Sequence, residues 1–592
     1  MHSFFFLSIV LLSSLASKVS KIHGHILFKI GAPNSEQNPL INFTGKPYNK
    51  YTRGPRRVGS SLTKGYRLSS GTLFALYYIG RRKSYGMDLN TGVSLKLIAP
   101  FASSAVLGNT PLKVTATSFS LGRDIHLDYT TIKQGEGNYL ITSEGRRVFD
   151  AAGGAAVSCL GHGNKRVLKA MSKQMGTGII YLASSFWASD IVEELSKELI
   201  MGTNGKMARV YLTGSGSEAM EAAMKLSRQY FYDVDHKTPR LNYITREGSY
   251  HGNTLGALAI SGFPNRKKPY KPILMKNVHH ISSCYPYRQR LEGETDTAFV
   301  NRKSSELEAK FQELGPKTVI AFIAEPVVGA ALGCVPCVPG YLKAMQSICH
   351  KHGALFILDE VMCGSGRTGT LHVWQAENVI PDIQTMAKGL GGGYQPIAAM
   401  LINHKVAKAL WDGSGQIVHG QTYQSMPLQA AAALEVQRII RDDQLLDNVT
   451  KQGAYLEKRL KVVLGNHPCV GDIRGRGLFW GLEFVKDKTT KEPFDPQQAI
   501  AKKIHDLAIS FPFNLAVYLG TGSYDGIRGD HIMLAPSYYI TKEDVDHIVN
   551  VLSAVIHIVF NNTGIEKKKW WNRWLISLIN RIYFLYVICL KK

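Results

Sequence analysis

The chain has 592 residues, 45% hydrophobic and 19% charged, a composition that excludes fibrous and wholly disordered proteins and leaves room for more than one packed core. Its formal net charge of +25 sits at the ends, +14 over residues 1–123 and +6 over residues 566–592, leaving +5 on the long middle. A near-neutral body with no basic stripe interleaved with aromatics excludes a nucleic-acid-binding domain.

In chain order, Phe4 to Ala16 is an apolar run of signal-peptide length, but its Met-His-Ser lead-in carries no positive charge. From there to residue 123 the sequence is Gly/Ser-rich, basic and poor in acids; it reads as a low-order extension, either a targeting segment or a gene-model artefact. Gly137-Asn-Tyr-Leu140, then Gly145, Val148, Phe149 and Asp150, predict a short hairpin entering the body. Apolar runs then alternate with helical patterns: Val210–Thr213 before a helix from Ser217 to Tyr230, Val319–Ala324 before one from Gly340 to His352, then Ala354–Leu358. Such alternation predicts an α/β fold with a mostly parallel sheet, whose ligands sit at the carboxyl ends of the strands.

Eight cysteines scattered through a large chain fit a reducing compartment. A cytoplasmic location is expected, with mitochondrial or secretory targeting by the N-terminal extension left open. Cys334-Val-Pro-Cys337 has the spacing of half a zinc site, but no complementary pair follows, so no metal is expected. Trp570 to Leu590 is aromatic and apolar behind three lysines, with Asn580 and Arg581 in its middle. A central Arg costs roughly 2.5–3.5 kcal/mol on insertion, so no membrane-spanning helix is expected, and the tail reads as an interfacial segment or a gene-model extension.

The strand ends present Ser215-Gly-Ser-Glu218, Ser249-Tyr-His-Gly252, Ala324-Glu-Pro326, Leu358-Asp-Glu-Val361, Met386-Ala-Lys-Gly389 and Gly420-Gln-Thr-Tyr423. The longest specific stretch runs from Ile357 through Asp359-Glu-Val361 to Gly369, followed by Thr385-Met-Ala-Lys-Gly-Leu390. In this order and spacing, from about residue 130 to 555, the chain resembles the class III aminotransferases, which are fold-type I enzymes dependent on pyridoxal 5'-phosphate (PLP). The resemblance implies a large PLP-binding domain over 191–440. A smaller α+β domain is built from 124–190 and 441–560, and a basic, aromatic tail covers 561–592.

The resemblance also implies roles. Lys388 would carry the cofactor as a Schiff base and, once released, move a proton as a free amine. Asp359 would face the ring nitrogen. Val361, two residues on and thus on the same side of an extended chain, would pack on one face of the ring and Tyr250 on the other, with His251 and Gly252 completing a positional turn. Gly216 and Ser217 would cradle the phosphate at a helix N-terminus, with Glu218 and Glu221 in the first turn; a plain helix cap satisfies the same residues. Thr422 would reach the phosphate from the neighbouring subunit of a homodimer with shared active sites, and Glu325 would lie near the substrate. The expected reaction moves an amino group from an amine donor to a carbonyl acceptor. A lyase, racemase or decarboxylase of the same class, a PLP-binding pseudoenzyme and a membrane-tethered interaction protein are the alternatives.

Several positions depart from the family pattern. Met362 stands where many members carry Gln, and Met220 and Met426 where Asn and His are frequent. Met533 stands where members acting on α-carboxylates carry Arg, and a thioether cannot pair with a carboxylate. Arg528, Arg474 and Arg476 are the nearby candidates for that task.

Overall fold

The structure, a computed structural model, describes residues 120–562 apart from 125 and 128. The expectations for the signal-like run, the N-terminal extension and the aromatic tail lie outside those residues.

Strands β1 (Ile132–Glu136), β2 (Tyr139–Thr142) and β3 (Arg147–Asp150) form an antiparallel meander, and β2–β3 is the expected hairpin. The main sheet takes β4 (Met207–Thr213), β5 (Asn242–Arg246), β6 (Val278–Ile281) and β7 (Val319–Ala324) in chain order. A two-stranded ribbon follows, β8 (Val327–Val328) with β9 (Val335–Pro336). The main sheet is completed by β10 (Leu355–Asp359), β11 (Ile383–Met386) and β12 (Ala398–Asn403). Its order is β4-β12-β11-β10-β7-β5-β6. Strands β6, β5, β7, β10 and β11 are mutually parallel, and β12 runs antiparallel to both β11 and β4. Beyond it, β13 (Val470–Arg476), β14 (Phe479–Phe484), β16 (Tyr518–Thr521) and β17 (Asp530–Leu534) form an antiparallel sheet, and β15 (Leu515–Ala516) joins β3.

Every residue of β10 is buried, as expected for a strand covered on both faces. Leu355 and Ile357 join one apolar cluster and Phe356 and Leu358 another on the opposite face, the period-2 alternation of a strand. The first cluster includes Met220, Ala223 and Met224 of the helix Gly216–Val234. Asp359 therefore ends the strand on the side where that helix begins. The helix starts one residue before and ends four after the expected span, because Ser215 caps it, its hydroxyl accepting the Glu218 N–H at 3.3 Å. Only Glu218 is acidic in its first turn; Glu221 lies deeper and accepts the Ala257 N–H at 3.0 Å.

Candidate active site

Because six main-sheet strands, β4 included, point one way, their carboxyl ends bring Ser215–Ser217, Tyr250–Gly252, Glu325, Asp359 and Lys388 to one edge. The antiparallel β12 delivers its amino end to the same edge, since Ala398 pairs with Thr213 and Ala399 with Met386. Gln395, Pro396 and Ile397, just before β12, thus join the group. Together they line a cavity of about 440 Å³ with Val157, Ala330, Val361, Met362 and Ala387.

Asp359 is buried, and three donors hold it. Val361 N–H donates to Oδ1 at 3.0 Å, Thr385 Oγ1 to Oδ1 at 3.4 Å, and His251 Nδ1 to Oδ2 at 2.7 Å. Because a carboxylate only accepts, His251 carries its proton on Nδ1. His251 Nε2 is buried without a partner.

Glu325 is buried in the cavity wall, and both of its oxygens are committed to backbone: Oε1 accepts the Tyr250 N–H and Oε2 the Gly329 N–H, each at 3.0 Å. Burial pushes its carboxyl above the usual range and Asp359 adds to that; His251 and the two N–H donors oppose it. The glutamate thereby fixes the turn that presents Tyr250. Tyr250 and Val361 both line the cavity, half-buried, and the Arg266 guanidinium lies over the Tyr250 ring, 4.6 Å from its centroid.

Lys388 follows β11 with a backbone φ of +49°, a left-handed conformation uncommon for a residue with a Cβ. Its pKa is lowered, chiefly by burial, although Asp359 and Glu325 pull the other way. At the helix terminus, Gly216 needs its missing side chain, because a Cβ there would come within 2.8 Å of Val361 Cγ1. Ser217 Oγ accepts from Asn253 N–H at 3.1 Å and donates to Asn253 Oδ1 at 3.0 Å, locking the Tyr250–Asn253 turn to the helix.

Two of the singled-out residues lie outside the cavity lining. Thr422 is exposed, in a loop whose Gln421 bonds Glu218 Oε2 at 3.3 Å. Arg528 is exposed and paired with Asp525 Oδ2 at 2.7 Å. The other two arginines are committed to structure: buried Arg474 pairs with Glu483 and Asp472, and Arg476 with Glu377. Met533 and Met362 instead share one apolar cluster with Cys334, Phe479 and Ala156. Met362 fits against the cavity because residue 329 is glycine, where a Cβ would lie 2.3 Å from its sulfur.

Sequence reasoning gave His251 only a positional role and missed Thr385, Gln395 and Val157. A histidine beside an aromatic at a strand end was the available signal for the first; nothing marked the others.

Known proteins resemble this chain over most of its described length. The family profile described as Aminotransferase class-III matches residues 122–556. An aminotransferase of Gibberella zeae is 46% identical over 516 residues, covering 85% of this chain and 98% of the relative. An uncharacterised aminotransferase of Schizosaccharomyces pombe is 45% identical over 426 residues, 72% of this chain and 92% of its own length. Among solved structures, an amine transaminase from an uncultivated Pseudomonas species, in its PLP-bound form, superposes with a TM-score of 0.69 at 30% identity, covering 76% of this chain and all of that one (100%).

Proposed function

The chain belongs to the class-III aminotransferase family, PLP-dependent transaminases of fold type I, and from that premise we propose which residues perform the transfer and which amines it takes. The lining residues fit the cofactor: an amine of lowered pKa in Lys388, a fixed acid in Asp359, the start of a 19-residue helix at Gly216 and Ser217, and flanking Tyr250 and Val361. When bound, PLP supplies an aldehyde carbon that takes up and returns an amino group, and a ring that withdraws electrons from the bond being broken.

The protein's own residues do the rest. Lys388 Nζ, favoured in its neutral form by burial, would attach the cofactor and, once free again as an amine, would take up and pass on the proton from the substrate carbon that bears nitrogen. Asp359 holds the opposite charge to the protonated ring nitrogen, and His251 keeps that carboxylate aimed. Gly216 and Ser217 direct backbone N–H groups at the phosphate. Glu325 acts through the backbone of the Tyr250 turn. The domain partition of the sequence reading, 191–440 for the cofactor and 124–190 with 441–560 for the smaller part, is retained as part of the same proposal.

Met533 carries the substrate reading. With Met533 in an apolar cluster and Arg474, Arg476 and Arg528 each paired to a carboxylate, the favoured donor is an amine without an α-carboxylate. Nitrogen transfer from a panel of primary amines and α-amino acids tests this. Primary amines should show kcat/KM higher by roughly 10–100-fold, the worth of an absent charge-assisted pair; a preference for α-amino acids reverses the reading. Release of carbon dioxide or ammonia without an aminated product contradicts transfer itself.

A homodimer with shared sites is the second part of the proposal. Phe186 and Trp187 are 81% and 68% exposed, as are Trp411 and Tyr423 at 81% and 62%, and this much exposed aromatic surface marks an interface. The two segments adjoin: Gln424 Nε2 bonds Ser184 Oγ at 2.8 Å, and the rings of Tyr181 and Tyr423 lie 6.1 Å apart. Covering them with a second copy brings that copy's surface against the loop of Thr422, the residue proposed to reach the partner's phosphate. Sedimentation should give a dimer, and Phe186→Glu with Trp187→Glu a monomer that loses PLP on dilution; a monomeric wild type that retains PLP contradicts this. Among the described residues no helix is long and apolar enough to cross a membrane.

A further inference from the structure

Outside the cavity, the end of β5 carries a charge with no carboxylate for a partner. Arg246 is 0% exposed. Its Nη1 donates to Cys337 Sγ at 3.2 Å, its Nη2 to the Glu325 carbonyl, and its Nε has no partner. A buried guanidinium requires a counter-anion. The acidic groups that face it are the Cys337 and Cys284 thiols and the Tyr341 hydroxyl, and of these a thiol ionises most readily. Cys284 lies beside Cys337 in the same buried cluster and accepts the N–H of the next residue, Val338, at 3.4 Å. The two thiols of Cys334-Val-Pro-Cys337 pack into different clusters, so the pair that matters joins residues 53 apart in sequence.

Burial opposes a thiolate at Cys337, but the neighbouring Cys284 thiol and the Arg246 charge outweigh it and bring the pKa to about 7. Cys284 is held well above the usual thiol range by burial and by the neighbouring Cys337. Of the seven described cysteines, Cys337 is the most exposed, at 9% against 1% or less for the others.

We propose that Cys337 rests as the thiolate counter-ion of Arg246 and, with Cys284, forms a thiol pair that hydroperoxides oxidise to a disulfide. The Cys337 thiolate attacks the terminal peroxide oxygen, the O–O bond breaks, and the alkoxide (hydroxide, for hydrogen peroxide) leaves, so the sulfur becomes a sulfenic acid. The Cys284 sulfur then attacks that sulfur; the S–S bond forms, and the hydroxyl departs as water with the Cys284 proton. The two sulfurs lose two electrons and the peroxide gains them. The product leaves Arg246 without an anion while it still holds the Glu325 carbonyl, one residue past β7 and behind the Tyr250 turn, so amino transfer slows in the oxidised form.

The full-length holoenzyme is treated with hydrogen peroxide and digested without reduction for mass spectrometry. A Cys284–Cys337 linked peptide is expected, with two fewer titratable thiols per chain and a transfer rate that falls and recovers with dithiothreitol. Before oxidation, iodoacetamide at pH 7 should modify Cys337 roughly tenfold faster than the other six described cysteines, following its larger thiolate fraction. In Cys284→Ser, Cys337 should stop at a sulfenic acid that dimedone labels. Should that variant fail to fold, the wild-type alkylation order and linked peptide decide alone. Uniform alkylation rates, or linkage between other cysteines, overturns the proposal, and a linked chain that keeps its full transfer rate overturns the coupling to the active site.

Discussion

Replacing Lys388 by alanine should abolish turnover, with kcat falling by about 10⁴-fold or more, because one side chain supplies both the covalent attachment and the proton shuttle. The same variant should lack any mass addition fixed by borohydride on the peptide that contains residue 388, whereas the wild type carries it. The change leaves intact the contacts that hold the site: the Asp359 bonds to Val361, Thr385 and His251, and the Glu325 bonds to Tyr250 and Gly329. Cofactor should therefore still be retained non-covalently, and circular dichroism should show an unchanged fold. Removing the amine also removes the desolvation of a partly buried base, so thermal stability is not expected to drop. A borohydride-fixed addition at another lysine, with activity preserved, would move the attachment away from Lys388.

What the sequence made legible follows from what pattern and motif can carry. The apolar run Leu355–Leu358 closed by Asp359, and the buried run Ile383–Met386 followed by Ala387 and Lys388, are strands leading into polar residues, so their chemistry falls at one edge whatever their neighbours. Strand direction was hidden. Ala398–Ile402 is almost wholly buried and reads the same in either orientation; only the register with β11 and β4 reveals that β12 runs backwards and delivers Gln395 to the cavity. Contacts between distant segments were equally hidden. His251 and Asp359 are 108 residues apart, and no periodicity links them. Glu360 makes the same point within the motif itself. Between the two cavity residues Asp359 and Val361, its side chain accepts the N–H groups of Val373 and Trp374, capping a short helix. A residue's place in a functional motif therefore did not reveal which way it faces.

Asp359→Asn tests the electrostatic part of the site separately from its shape. The substitution keeps the size of the side chain and an oxygen able to accept the Val361 N–H, but removes the negative charge opposite the ring nitrogen. It also inverts one hydrogen bond: an amide N–H₂ in place of Oδ2 must donate to His251 Nδ1, which forces the imidazole proton onto Nε2. That nitrogen is buried without a partner, so the rearranged tautomer gains no protein bond to offset the change. The expected result is a kcat lowered by about 10²–10³-fold, the size of effect seen when one group stabilising transition-state charge is lost, with attachment at Lys388 still detectable after borohydride. His251→Asn should cost less, about tenfold, since it loosens the carboxylate without removing its charge. If Asp359→Asn and His251→Asn proved equally damaging, aiming the carboxylate rather than its charge would be the contribution that matters. If Asp359→Asn were harmless, the assignment of Asp359 to the ring nitrogen would fall, while attachment at Lys388 would stand on its own measurement.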